Sequence, residues 1–454
     1  MHFTRRTFLL SAAGLAASSV PRAWAQPGAA PGAIRVNGAR LRARIEKLSE
    51  FGRPLGGSFD DGVSRVGYSV ADRAGRDYVL QLMHAARLDT RVDPAANIIG
   101  RRPGRDPAAK PIVFGSHVDS VPSGGNFDGP LGTLAAVEVA QVLLERGIVT
   151  GHPLEVVIWT NEEGVAFGNG LCGSRAAAGE LVAGELDQVW NGVRKADAVR
   201  ALGGDPDRIA EARRAPGSIH AYLELHVEQG GVLDRAGTPI GIVEGIVAID
   251  RYDCVVRGAA NHAGTTPMTD RHDALLAASR LVEAVHEIVT GEPGRQVGTV
   301  GRLEVTPNAP NVIPGLVRLT VELRDLSAEK LLRLAGDVRG RAAGIAAATG
   351  TTIELAQSSH HAAALAAPEV RAAIERSADD LGLAHRSLPS GAGHDAQMMA
   401  RLGPMGMIFV PSIGGISHSP RERTSWEDCS RGADVLLGSV LAVDRIRFGN
   451  PSTV

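Results

Sequence analysis

The chain is poor in cysteine: Cys172, Cys254 and Cys429 are the only three, and they lie far apart in 454 residues. That spacing excludes a disulfide framework and a CxxC-type zinc site, so any metal has to be held by histidine and carboxylate side chains. Net charge is missing too. Acidic and basic residues nearly cancel to a formal −2, which leaves no basic field for nucleic acid and no polybasic patch for a membrane surface. What is present is an ordinary globular composition, 44% hydrophobic and 22% charged. A chain of this length and composition can bury a full core, and its size suits two domains. The expected partner is a small molecule.

The apolar stretch from Phe8 to Val20 follows Arg5 and Arg6 and precedes Ala23-Trp24-Ala25. A basic start, an apolar middle and an AxA-like cleavage site make residues 1–25 a secretory signal rather than a membrane span. Thr4-Arg5-Arg6-Thr7-Phe8-Leu9 resembles the twin-arginine signal, whose cargo is exported already folded, so the expected location is periplasmic. Residues 26–33, rich in Pro, Gly and Ala, read as a flexible leader.

From residue 34 onward apolar strand runs alternate with helices. After a helix at 39–49, the stretches 111–114, 154–160, 221–227 and 405–410 read as strands, and 132–145 reads as a helix that Gly147 stops. The second run is continuously apolar, as in a strand buried on both faces. The expected fold class is therefore α/β, with a mostly parallel sheet covered on both sides. Between 250 and 358 the rhythm changes to strand 251–257, helix 272–289, strands 297–305 and 316–325, helix 328–348 and strand 351–356. That β-α-β-β-α-β order is ferredoxin-like, and it reads as an insertion into a catalytic domain formed by 34–249 and 359–454.

The chemistry sits where the strands of the main sheet end. His117 follows the first run, and Asp128 comes eleven residues later in Gly124-Gly125-Asn126-Phe127-Asp128-Gly129. Glu162 and Glu163 follow the second run, His226 closes the third, and His418 lies just past the fourth. Ligand crevices in doubly wound sheets lie at the carboxyl ends of strands, so these residues should converge. A lone histidine at a strand end is more often a hydrogen-bonded structural residue, and Glu-Glu is more often a solvated helix start. The coincidence of four strand ends makes them a metal-ligand set. Side chains of consecutive residues diverge, so Glu162 and Glu163 divide the work into one ligand and one base.

Seven motifs now stand in order: Gly115-Ser-His-Val-Asp-Ser120, Gly125-Asn-Phe-Asp-Gly129, Asn161-Glu-Glu-Gly164, His226-Val-Glu-Gln-Gly230, Asn261-His-Ala-Gly-Thr-Thr-Pro-Met268, Asn308-Ala-Pro-Asn-Val-Ile-Pro314 and Gly393-His-Asp-Ala396. Together they resemble the amidase/carbamoylase branch of the M20 metallopeptidases, with its N-carbamoyl-L-amino-acid hydrolases, β-ureidopropionases and allantoate amidohydrolases. The resemblance covers nearly the whole mature chain. It implies a metal-dependent amidohydrolase, with an inserted lid and dimerisation domain, cleaving a non-peptide C–N bond in a carboxylate-bearing ureido substrate.

The same resemblance implies two divalent ions per subunit, zinc or manganese, with cobalt and nickel as further candidates. Asp128 would bridge them, His117 and His226 would complete one shell, and Glu163 and His418 the other. Glu162 would be the general base for the attacking water. Arg324 would capture the substrate carboxylate, Gln229 and Asn311 would add contacts, and His262 would reach across a homodimer interface to polarise the scissile carbonyl. His394 receives no firm role, and structural support of the site suits it at least as well. Along 316–325, Val317, Leu319, Val321 and Leu323 alternate with Arg318, Thr320, Glu322 and Arg324, and a solvated face fits Arg318 and Glu322. Where relatives commonly read Glu-Glu-Gly-x-Arg-Phe, Ala166 stands in place of the arginine, which removes a support of the metal loop or a substrate contact. An M20 peptidase or an N-acyl-amino-acid deacylase would share these ligands. A non-catalytic periplasmic binding protein is the third reading, and the complete ligand and base positions argue against it.

Overall fold

The computed structural model of the protein describes residues 34–448, so the expected export signal and leader lie outside the described residues. In chain order the strands are β1 (Asp89–Val92), β2 (Ile98–Arg102), β3 (Ile112–His117), β4 (Leu154–Trp159), β5 (Val189–Trp190), β6 (Val193–Arg194), β7 (Ala221–Val227), β8 (Ile240–Ile246), β9 (Ala248–Arg257), β10 (Asn261–His262), β11 (Val297–Thr306), β12 (Val312–Ile313), β13 (Leu316–Asp325), β14 (Thr352–His361), β15 (Ala364–Leu365), β16 (His385–Ser390) and β17 (Met405–Val410).

The large sheet runs β1-β2-β4-β3-β7-β17-β8-β15, with β16 paired to β8. Its middle strands β4, β3, β7 and β17 are parallel, and the flanks turn antiparallel at β2–β4 and β17–β8. Every residue of those four middle strands is buried, which is why they read as largely apolar runs, interrupted inside by Glu155 in β4 and Glu224 in β7. One face packs on the helices Pro130–Glu145, Pro368–Asp380 and Trp426–Val443, around residues such as Leu134, Ile374 and Leu436. The other face is covered by a cluster that includes Trp159, Tyr222 and Met407. The helix Pro130–Glu145 starts two residues before its expected limit, because Pro130 at its first turn has no N–H to leave unpaired.

A second sheet, β11-β13-β9-β14, is antiparallel throughout. Helices Ala274–Gly291 and Ala328–Thr349 cover one face, on which Val317, Leu319, Val321 and Leu323 are buried. Along the chain this is the expected β-α-β-β-α-β order. Its first and last strands in chain order run further than expected, β9 starting at Ala248 and β14 ending at His361, because the ladder keeps pairing through Asp325↔Ala248 and His361↔Ile249. β10 and β12 form a separate two-stranded ladder.

Candidate metal centre

Neighbouring parallel strands deliver the ligands to one edge. β3 ends on His117, β7 carries His226 one residue before its end, β4 leads into Glu162 and Glu163, and the loop after β17 brings His418. Asp128 closes the ring from the loop ahead of the helix Pro130–Glu145. One of its oxygens, Oδ1, lies 3.2 Å from His226 Nε2 and 3.8 Å from His117 Nε2. The other, Oδ2, lies 3.4 Å from His418 Nε2, which is itself 3.4 Å from Glu163 Oε2. Each carboxylate oxygen of Asp128 therefore serves its own nest, His117–Asp128–His226 or Asp128–Glu163–His418, with donor atoms inside each nest no more than 4.8 Å apart. Ligands about 2.0–2.1 Å from a tetrahedral cation are about 3.4 Å from one another, so both nests suit a divalent ion. The histidines are aimed for it. His117 Nδ1 donates to the Asp119 carbonyl at 3.0 Å and His226 Nδ1 to the Val227 carbonyl at 2.9 Å, which leaves each Nε2 lone pair for the centre.

The two glutamates part company at a turn. Asn161 has φ +51°, and the N–H groups of Glu162 and Glu163 donate to the two oxygens of buried Asp119, each at 3.2 Å. Glu163 enters the second nest, whereas Glu162 stands 3.7 Å from His117 Nε2 and outside both.

Residues 113–442 match the sequence model of peptidase family M20/M25/M40. The chain belongs to this family. It is 43% identical to an N-carbamoyl-L-amino acid amidohydrolase of Geobacillus stearothermophilus, over 89% of this chain and 98% of that protein. A ureidoglycolate hydrolase of Arabidopsis thaliana is 35% identical over 89% of this chain and 86% of its own length. The crystal structure of an amidase of the hydantoinase/carbamoylase family from Burkholderia multivorans superposes with a TM-score of 0.82 at 36% identity, covering 90% of this chain and 98% of that one.

Electrostatics tests whether this M20 site fits metal ions. Burial, then Asp395 and Glu163, push the Glu162 carboxyl well above the usual range; burial, then Asp128 and Asp119, do the same to Glu163. Burial raises Asp119 to about 6. Burial also opposes charge on Asp128, but His226, His418 and His117 override it and hold Asp128 well below the ordinary carboxylate range. His226 rises to about 9 because Asp128 outweighs its burial, whereas burial takes His117 down to about 4. So many buried acids around three imidazoles lack positive charge, and divalent cations supply it. The Gln229 amide points to the same gap. At φ +60° it donates to Asp128 Oδ2 at 2.6 Å and sits 3.5 Å from His418 Nε2, while its buried Oε1 has no partner.

Glu422 is the supporting residue that sequence reasoning missed. Its Oε1 accepts the N–H groups of Phe127 at 2.8 Å and Asp128 at 3.1 Å. Ser417 Oγ lies 2.7 Å from Glu422 Oε2 and 2.8 Å from Asp128 Oδ2. A hydroxyl carries one hydrogen and cannot donate to two carboxylates at once. In the metal-free protein the chain of bonds closes if Glu422 donates to Ser417 and Ser417 to Asp128, in keeping with burial raising Glu422 to about 7. Nothing local marks the position, since Arg421-Glu422-Arg423 reads as a charged surface turn. His394 is likewise buried, bonded through Nε2 to Ser390 Oγ at 2.9 Å, with its ring edge-on to His226 at 4.5 Å. It props the ring of a candidate ligand.

Ala166 does not leave the metal loop unsupported. It is fully buried beside Phe167 and Ala198, with Tyr68 and Trp190 packed against them, and Lys195 Nζ lies 5.8 Å from the Phe167 ring.

The expected substrate contacts divide. Gln229 lines a cleft of about 870 Å³ together with Asp128, Glu162, Glu163, His226 and His418. Arg324 sits at its rim, donating to Glu322 at 2.7 Å and to the Gly391 carbonyl at 2.5 Å, while its cross-strand neighbour Ile249 lines the cleft. Glu322 is not simply solvated: Arg251 pairs with it as well, at 2.5 Å. His262 in β10 and Asn311 just ahead of β12 are exposed at the small β10–β12 ladder, and neither is among the residues that line the cleft. His262 Nδ1 accepts the N–H groups of Gly264 at 3.0 Å and Thr265 at 3.2 Å, which places its proton on Nε2.

Proposed function

We propose that this M20 chain is an amidohydrolase that removes the carbamoyl group from an N-carbamoyl amino acid or a related ureido acid. The observation that carries the hydrolytic part is the division of the two Asp128 oxygens between two ligand nests, with Glu162 beside the first and outside both. Likeness to N-carbamoyl-L-amino acid amidohydrolases supports the ureido part. Zinc or manganese is the proposed occupant of both nests. When bound, divalent cations there lower the pKa of water and stabilise a developing oxyanion.

The chain's own groups do the rest. Glu162, buried and held strongly basic, accepts the attacking water's proton and returns it to the leaving nitrogen. His117, His226, Glu163, His418 and Asp128 are the proposed ligands, with Glu422 and Ser417 fixing Asp128. Arg324, by exchanging the Gly391 carbonyl for a carboxylate, anchors the substrate, and Gln229 and Asn311 add polar contacts. His262 Nε2–H, exposed and not among the residues that line its own cleft, donates to the scissile carbonyl of a neighbouring subunit, so the working form is a homodimer. Attack of one water on the ureido carbon and cleavage of its bond to the amino nitrogen yields the free amino acid and carbamate, which decomposes to ammonia and carbon dioxide.

The test is hydrolysis by the purified mature chain, supplied with zinc or manganese, read as ammonia release from N-carbamoyl-L-amino acids, N-carbamoyl-β-alanine and allantoate, and as newly freed amino groups from dipeptides and N-acetyl amino acids. Turnover of the last two classes with none of the ureido acids would overturn the proposal. Location follows from the amino terminus: the protein is proposed to reach the periplasm by the twin-arginine route. Changing Arg5 and Arg6 together to Lys should hold it in the cytoplasm, and unchanged periplasmic activity would refute that.

A further inference from the structure

Away from the ligand nests, the cleft and its immediate support carry more positive charge than one substrate carboxylate needs. Across the ladder Arg324 on β13 is paired with Ile249 on β9, and Ile249 with His361 on β14; two residues along, Glu322 is paired with Arg251. Alternation along each strand puts all five side chains on the same face. Ile249, Arg251 and His361 line the cleft that holds Asp128 and His226.

Two guanidinium groups share one carboxylate there, since Arg251 and Arg324 both bond Glu322, at 2.5 Å and 2.7 Å. Arg175, on the same cleft, shares Glu185 with buried Lys195, both at 2.5 Å. Four cations thus meet two carboxylates, and two positive charges stay unmatched. Arg401 adds nothing to the excess because Glu180 pairs with it at 2.8 Å. The crowding is felt at His361, whose pKa is held below its ordinary value by partial burial and by the charges of Arg251, His360 and Arg175. Adjacent strands lie about 4.8 Å apart, so Arg324 and His361 flank Ile249 across about 10 Å, with an apolar side chain between a guanidinium and an imidazole that can donate an N–H.

Resting on the ureido reading above, we propose that the preferred substrate is a dicarboxylate, an N-carbamoyl amino acid with an acidic side chain. Arg324 takes the α-carboxylate, the short methylene chain lies over Ile249, and Arg251 with His361 take the second carboxylate.

The experiment compares kcat/KM for N-carbamoyl-L-aspartate and N-carbamoyl-L-glutamate with that for their neutral isosteres, N-carbamoyl-L-asparagine and N-carbamoyl-L-glutamine. Expressed as an acid-to-amide ratio, the result is insensitive to how much of a variant is folded. The parent should prefer each acid by about tenfold or more, the scale of one bond to a charged group. His361→Gln, which leaves the Arg251–Glu322–Arg324 pairing in place, should cut that ratio several-fold, and Arg251→Gln should bring it near one. A parent ratio near one with brisk turnover of all four compounds overturns the dicarboxylate proposal and leaves the ureido reading standing. No turnover of any ureido acid overturns both. A preserved ratio in both variants removes the second carboxylate from Arg251 and His361.

Discussion

Glu422→Ala should loosen the metal centre without touching a ligand. The side chain accepts two backbone N–H groups, those of Phe127 and Asp128, in a site with no room for another partner, since a Cβ on Gly125 would come within 2.1 Å of Glu422 Oε1. Leaving a buried donor unpaired costs about 1–3 kcal/mol, so two cost about 2–6 kcal/mol, toward the lower end if water enters the space that the truncated side chain vacates. The same change frees Ser417, whose hydroxyl bonds Asp128 Oδ2 at 2.8 Å. Urea unfolding of chelator-treated protein should show a destabilisation of about 2–4 kcal/mol, and metal analysis after dialysis should show fewer ions per subunit. Glu422→Gln is the informative control. An amide keeps an oxygen for the two N–H groups and an N–H for Ser417, so it reproduces the protonated carboxyl and should stay near the parent in both measurements. A Gln variant as damaged as the Ala variant would refute the bonding pattern, because charge rather than hydrogen bonding would then be holding the loop. An Ala variant with the parent's stability and metal content would remove Glu422 from the centre.

Glu162→Gln should keep its metal and lose nearly all turnover, because an amide cannot accept the water's proton; activity within about tenfold of the parent would sink the base assignment. In chelator-treated protein, stability should fall as pH rises from 6.5 to 8. Glu422, raised to about 7, and His226, raised to about 9, keep protons in the folded state that the unfolded chain has released, so deprotonation penalises the fold; saturating zinc or manganese should flatten that slope, and an equal slope with and without metal would count against it. Finally, mixing Arg324→Ala with His262→Ala subunits should restore activity by forming one intact site per hybrid dimer. Exchange demonstrated without recovery would place His262 in its own subunit's chemistry.

Much of the site was legible before any fold was known, for a local reason. β3, β4, β7 and β17 are buried on both faces, so their sequences are largely apolar, and polar residues at or just past their ends stand out. His117, Glu162, Glu163 and His226 stand out in that way, and His418 follows β17 only after a short loop. The limits of the inserted sheet were less legible. Ile249 and His361 face a cleft rather than open water, and alternation alone cannot tell those surroundings apart.

By itself, then, the amino-acid sequence determined the element order, the strand ends that carry ligands and the residue types available to them, because those depend on periodicity within a few neighbours. Tertiary structure decided which atoms meet. Glu422 reaches the Asp128 N–H across 294 residues of chain, and Ser417 joins the same two carboxylates. The pairing of Arg251 with Arg324 on Glu322, the apolar packing that surrounds Ala166, and the separation of His262 from its own cleft arise in the same way. Such contacts are set by the order β4-β3-β7-β17, by the ladder of the second sheet and by the packing of loops against them. No local pattern records that order, because a strand's own sequence specifies which faces it buries and not which neighbour it lies beside.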